Sequence, residues 1–336
     1  MSGRSVFSTV VIVLVAFVAP SVAQQTLGDL VASGGYDWII GRWVAGTDEG
    51  PKVEFSFDWA LDKHVVLNSL QMGDFKYQGL ITLSPTDQEA IDQGADSRGG
   101  TWKGTWSPDG DGLVRKVEHM GPDGQTRKGE MVFGKVDADT ITIAIYAVDS
   151  SGSRSSEPWN KLTYRRQQAK AAPISATAEA ASRSTDYQKL GDVVSEGGYE
   201  WLIGKWVAGE GDRTYGLEYK PILNMHAAQT DVKIGDFKYM GIIMYVASRQ
   251  EIVQIGVDSM GGAWKGTWEQ DGSDALNKIE YTKPDGTTVK LQHVYVKIND
   301  DGLKVKQYDV GADGSRGSPS RDDLTFKRQK PAAQAK

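Results

Sequence analysis

No cysteine occurs among the 336 residues. That single absence removes thiol nucleophiles, thiolate metal sites and disulfides, so stability has to come from packing alone. Histidine is scarce as well, with four residues, and no His-Glu-x-x-His spacing or clustered ligand set accompanies them, which leaves a metal site without a basis. No Gly-x-Ser-x-Gly elbow, phosphate loop or dinucleotide fingerprint is present, so no catalytic residue and no cofactor is assigned. Positive charge is also lacking. Residues 27–167 carry 15 basic against 21 acidic side chains and residues 190–329 carry 17 against 21, the wrong balance for a phosphate backbone. Nucleic acid is excluded as a partner on that ground.

One apolar run stands out. Arg4 is followed by Val10-Val11-Ile12-Val13-Leu14-Val15-Ala16-Phe17-Val18 and then by Ser21-Val22-Ala23, the charged, apolar and small-residue order of a secretory signal cleaved after Ala23. The run is short for a bilayer span and no later segment approaches 18 apolar residues, so no transmembrane segment is expected after cleavage. An uncleaved anchor is the alternative reading. The expected location is exported, either periplasmic or extracellular.

What the chain has in abundance is repetition. Gly41-Arg42-Trp43-Val44-Ala45-Gly46 returns 163 residues later as Gly204-Lys205-Trp206-Val207-Ala208-Gly209. From Phe55 onward the offset is 162, so that Gly73-Asp74-Phe75-Lys76-Tyr77 matches Gly235-Asp236-Phe237-Lys238-Tyr239. Asp96-Ser97-Arg98-Gly99-Gly100-Thr101-Trp102 likewise matches Asp258-Ser259-Met260-Gly261-Gly262-Ala263-Trp264. A repeat of this size is a duplicated domain rather than a solenoid unit. The expected division is a signal at 1–23, one unit at 24–167, an Ala/Ser/Thr-rich linker at 168–189, a second unit at 190–329 and a disordered tail at 330–336.

Within each unit the visible period is two. Val53, Phe55, Phe57 and Trp59 share one face of a strand, and Thr140-Ile141-Thr142-Ile143-Ala144-Ile145 alternates with β-branched residues. Asp109-Gly110, Asp123-Gly124, Asp271-Gly272 and Asp285-Gly286 supply tight hairpin turns. The fold class is therefore all-β: two tandem antiparallel up-and-down β-barrels of about 8–10 strands each. A short helical plug is expected before each first strand, at Tyr36-Asp37-Trp38-Ile39-Ile40 and its partner Tyr199-Glu200-Trp201-Leu202-Ile203.

Gly-x-Trp on a first strand, with a basic residue on the last one (Arg165 or Arg166, and Lys327 or Arg328), resembles the lipocalin-like or calycin superfamily. More narrowly, each copy resembles lipocalin-like domains of unknown function from exported bacterial proteins, which carry a similar Asp-Ser-x-Gly-Gly stretch. The resemblance implies that the Trp and the late basic residue pack across one end of each barrel. It lends no single activity.

Identical residues in the two copies are those the shared fold needs, and they include eight of the ten tryptophans. Asp109-Gly110-Asp111-Gly112 reads as turns, since it lacks the spaced carboxylates of a calcium loop. The copies part at Trp59, which faces Pro221, and around the matched His64 and His226. Trp59, His64 and His226 are the candidate ligand-binding residues. The leading functional expectation is a non-catalytic exported protein that binds an apolar or amphipathic small molecule or a cell-envelope component. Two other readings stand beside it: a hydrolase-type enzyme using the surroundings of His64 and His226, and a structural or interaction module whose barrels are solid.

Overall fold

Alternating apolar residues, interrupted every eight to ten positions by turns, fold as two closed antiparallel barrels in the computed structural model. The structure describes residues 25–46, 52–167, 188–210, 214–320 and 323–330. The expected signal lies outside these residues, as do nearly all of the expected linker and tail.

In the first copy the strands are β1 (Gly41–Ala45), β2 (Val53–Ala60), β3 (Val65–Met72), β4 (Phe75–Leu83), β5 (Ala90–Asp96), β6 (Thr101–Asp109), β7 (Gly112–Met120), β8 (Thr126–Lys135), β9 (Thr140–Ala147) and β10 (Asn160–Arg166). Each pairs with the next, and β10 closes on β1 through Trp43 opposite Arg166. The second copy repeats this as β11 (Gly204–Ala208), β12 (Tyr215–Ile222), β13 (Ala227–Ile234), β14 (Phe237–Val246), β15 (Glu251–Asp258), β16 (Ala263–Asp271), β17 (Asp274–Thr282), β18 (Thr288–Asn299) and β19 (Gly302–Val310). A short β20 (Arg316–Pro319) hangs on β19, and β21 (Leu324–Arg328) closes the ring onto β11. Closure leaves neither barrel with a free edge in its ring of ten strands.

A helix precedes each barrel, α1 (Leu27–Ser33) and α2 (Leu190–Glu196), followed by a 3₁₀ turn at Asp37–Ile39 or Glu200–Leu202. Thr26 caps α1, its hydroxyl accepting from Asp29 N–H at 3.0 Å while the Asp29 carboxylate returns to Thr26 N–H at 2.9 Å. Leu27 and Leu190 are buried and tie each helix to its barrel.

The barrels also pack on each other with an internal two-fold likeness. Val65, Leu80 and Ala95 of the first meet their counterparts Ala227, Ile242 and Val257 in one shared apolar cluster. Each copy contributes a three-residue left-handed turn, at Leu61, Asp62 and Lys63 and again at Leu223, Asn224 and Met225, all with φ between +48° and +70°. Left-handed backbone costs an L-residue roughly 1–2 kcal/mol. Here it persists in both copies at the same place, where Leu61 and Leu223 pack into the shared cluster.

Candidate ligand cavity and barrel polar centres

The interior of the first barrel holds an ion pair. Arg115 Nε lies 2.7 Å from Asp92 Oδ2, and the two side chains are 2% and 0% exposed. Tyr77 donates its hydroxyl to Asp92 Oδ1 at 2.6 Å, and Asn68 Nδ2 donates to Oδ2 at 3.0 Å. The guanidinium also lies over the rings of Tyr77 and Trp106, at 5.2 and 5.9 Å. Burial, and then the adjacent Asp92 charge, push the Tyr77 hydroxyl well above its usual range.

The second barrel keeps the shape and discards the charge. Gln254 and Asn277 stand where Asp92 and Arg115 stand, offset by 162. Gln254 Nε2 donates to the Tyr239 hydroxyl at 2.7 Å, while its Oε1 accepts from Trp268 Nε1 at 2.8 Å and from Asn277 Nδ2 at 2.9 Å. The charged centre of the first copy is thus a neutral amide centre in the second, where the tyrosine hydroxyl accepts rather than donates and Thr230 stands in place of Asn68.

Three motifs find structural roles. Asp96 Oδ1 accepts from the backbone of Arg98 and Gly100, at 2.8 and 3.0 Å, while Oδ2 accepts from Trp102 Nε1 at 2.7 Å and contacts His119 Nε2 at 3.0 Å. Burial opposes ionisation of Asp96, yet the bonds from His119, Trp102 and the two amides outweigh it and hold the carboxyl below its usual value. Asp258 repeats this clamp with Met260, Gly262 and Trp264. At the closing end, Arg166 rather than Arg165 stacks on Trp43 at 4.1 Å and donates to Trp38 O and Ile40 O; Arg328 does the same with Trp206, Trp201 O and Ile203 O. Asp109 and Gly112 close a two-residue hairpin between β6 and β7.

Both barrels have a cavity under the helix at one end, of very different size. The first is about 100 Å³ and is bounded by Leu27, Leu30, Phe57, Val66, Trp106 and Leu113. The second is about 440 Å³, bounded by Leu190, Tyr219, Pro221, Ala228, Trp268 and Ala275 among others. Around the second cavity, Pro221, Ala228 and Ala275 are smaller than their counterparts Trp59, Val66 and Leu113, while Ile252 and Glu269 are larger than Ala90 and Ser107. The larger cavity coincides with the three reductions, two of which, at Ala228 and Ala275, lie where Val66 and Leu113 border the smaller one.

The mouth of the larger cavity is strapped by polar groups. Tyr245 donates its hydroxyl to Gln188 Oε1 at 3.2 Å, and Gln188 Nε2 donates to Glu196 at 2.8 Å. Leu83 and Ser33 occupy the places of Tyr245 and Glu196 in the first copy, where this strap cannot form.

The candidate residues named from the sequence lie apart. Trp59 packs against the core of the first barrel, with Lys63 Nζ 6.0 Å from its ring. His64 and His226 lie between the barrels: a Cβ on Gly261 would come 3.5 Å from His64 Nδ1, and one on Gly99 would come 3.4 Å from His226 Nδ1. His64 also borders a small crevice of about 10 Å³ with Val257 and Gly261. Burial, reinforced by Lys189, lowers the His226 pKa against partial opposition from Asp96 and Asp192. The cavity and the two polar centres were not singled out from the sequence, although subtracting one copy from the other at Asp92, Arg115, Val66 and Leu113 would have marked them. No helix among the described residues is long and apolar enough to cross a membrane.

No protein-family model and no curated protein matches the chain. Among solved structures it is similar to a protein of unknown function of the DUF3598 family from Nostoc punctiforme, at 13% identity over 87% of this chain and 97% of that one, with a TM-score of 0.21. It is also similar to a Bacteroides ovatus protein described as xyloglucan PUL GH43B, at 8% identity over 84% of this chain and 80% of that one, with a TM-score of 0.12. Superpositions this loose leave any function to be argued from the chain's own residues.

Proposed function

We propose that the protein is an exported, non-catalytic binder in which the second barrel holds an apolar or amphipathic small molecule and the first is its filled partner. The observation that carries this is the cavity of about 440 Å³ in the second barrel against about 100 Å³ in the first. Small-molecule sites run from ~300 to ~1,000 Å³ and are lined by apolar and aromatic groups with a few polar ones, a description the second cavity fits and the first does not. The stacks of Arg166 on Trp43 and Arg328 on Trp206 support reading each unit as lipocalin-like. Export rests on the tripartite segment ending at Ala23.

The test is to give the second barrel the lining of the first. Wild-type protein should enhance the emission of the neutral dye N-phenyl-1-naphthylamine. The variant Pro221→Trp/Ala228→Val/Ala275→Leu should abolish the enhancement, and the milder Ala228→Val/Ala275→Leu should reduce it by about tenfold in affinity. Equal dye binding by wild type and both variants would place the site elsewhere and sink the proposal.

A further inference from the structure

The copies differ in charge around the cavity as consistently as they differ in size. Three lining positions of the second barrel have changed, all in one direction: Met225 stands where the first copy has Lys63, Glu196 where it has Ser33, and Glu269 where it has Ser107. One cation has gone and two carboxylates have come. No Lys, Arg or His is among the described residues that line the cavity. Lys278 pairs with Glu269 at 2.6 Å from outside the lining and offsets one of the two charges, while among the described residues Glu196 is held by the neutral amide of Gln188.

The walls add a second feature. Four aromatic side chains, Tyr199, Tyr219, Tyr245 and Trp268, line the space, and two of them replace non-hydroxylated residues of the first copy, Phe57 and Leu83. Aromatic faces carry negative potential and attract a cation within about 6 Å, most strongly when it is partly desolvated, which is how quaternary ammonium groups are recognised. An anionic head would meet carboxylates at the mouth and aromatic faces within, with no cation among the described lining residues to receive it. Resting on the reading of the second barrel as the binding module, we infer that its ligand is an organic cation with an apolar body, of the alkylammonium class. The apolar part lies against Leu190, Val193 and Ile243, and the ammonium lies toward Glu196 and the aromatic rings.

Three probes with the same ten-carbon tail separate this from the parent proposal: decyltrimethylammonium, decanoate and the neutral decyl glucoside. Each is titrated below its micellar concentration into the full mature chain by calorimetry. The ammonium probe should bind at least about tenfold more tightly than decanoate. Glu196→Gln/Glu269→Gln should weaken the ammonium probe about fivefold and leave the neutral probe unchanged. Decanoate binding as tightly as the ammonium, or a double variant that weakens all three probes alike, overturns the cation inference while the cavity reading stands. If no probe binds and N-phenyl-1-naphthylamine also fails, both readings fall together.

Discussion

At the scale of single residues, the duplication supplies its own control. The first copy keeps a desolvated Arg115–Asp92 pair where the second has Asn277 and Gln254. Removing one member of a buried ion pair leaves an uncompensated charge and costs about 3–5 kcal/mol, whereas replacing both with well-fitted neutral groups is often nearly neutral. Arg115→Asn should therefore lower stability by that amount in urea unfolding, and Asp92→Gln/Arg115→Asn, which places the second copy's Gln254 and Asn277 pair in the first, should recover most of the loss. A double variant no more stable than the single one would mean that the two centres are not interchangeable. Asp96 makes a different prediction. Its native pKa is depressed, so its contribution to stability is complete above the ordinary value of 3.8 and fades as pH falls through the lower native value. Asp96→Asn should destabilise the first barrel near neutral pH and flatten its acid-unfolding profile, measured by circular dichroism against pH. An acid limb as steep as that of wild type would assign the loss to other carboxylates.

At the scale of elements, each barrel is closed by a strand pair and a cation. Gly41 has φ of +124°, and a Cβ there would lie 2.5 Å from Arg166 Nη1. Gly-x-Trp thus needs its glycine for two reasons at once: backbone conformation and room for the guanidinium that stacks on Trp43. Gly41→Ala should cost about 1–3 kcal/mol in thermal or denaturant unfolding, and an alanine tolerated without loss would remove this account of the motif. Strands and turns of this kind are legible in sequence because their cause is local. Val53, Phe55 and Phe57 announce a buried face by alternation, and the Asp-Ser-x-Gly-Gly-x-Trp clamp sits within seven residues. The Asp92 centre is not legible in this way, because its members come from β3, β4, β5, β6 and β7 and no spacing along the chain connects them. The larger cavity is hidden for the same reason: Pro221, Ala228 and Ala275 lie on different strands, and each alone is an ordinary residue.

At the scale of the whole molecule, the two barrels meet through a contact that each copy builds in the same way, a left-handed turn leading into a histidine that faces a glycine of the other copy. His226 Nδ1 is buried with no hydrogen-bond partner among the described residues, and Gly99, with φ of +83°, leaves it room. Protonating this ring places a charge in a partly desolvated contact beside Lys189, with only partial relief from Asp96 and Asp192, and its native pKa is lowered from 6.5 accordingly. The sign follows from proton counting: separation or unfolding lets the ring bind a proton that the packed state disfavours, so stability is complete above 6.5 and declines as pH falls through the lowered native value. Wild-type protein should thus lose unfolding free energy as pH falls from 6.5 toward the lowered native value. In His226→Phe, which has no ionisable group at the contact, that part of the pH dependence should be absent. Unfolding free energies from urea titrations at several pH values check this, and small-angle scattering at the same pH values reports whether the barrels part. A pH slope that survives unchanged in His226→Phe would show that another group controls the contact.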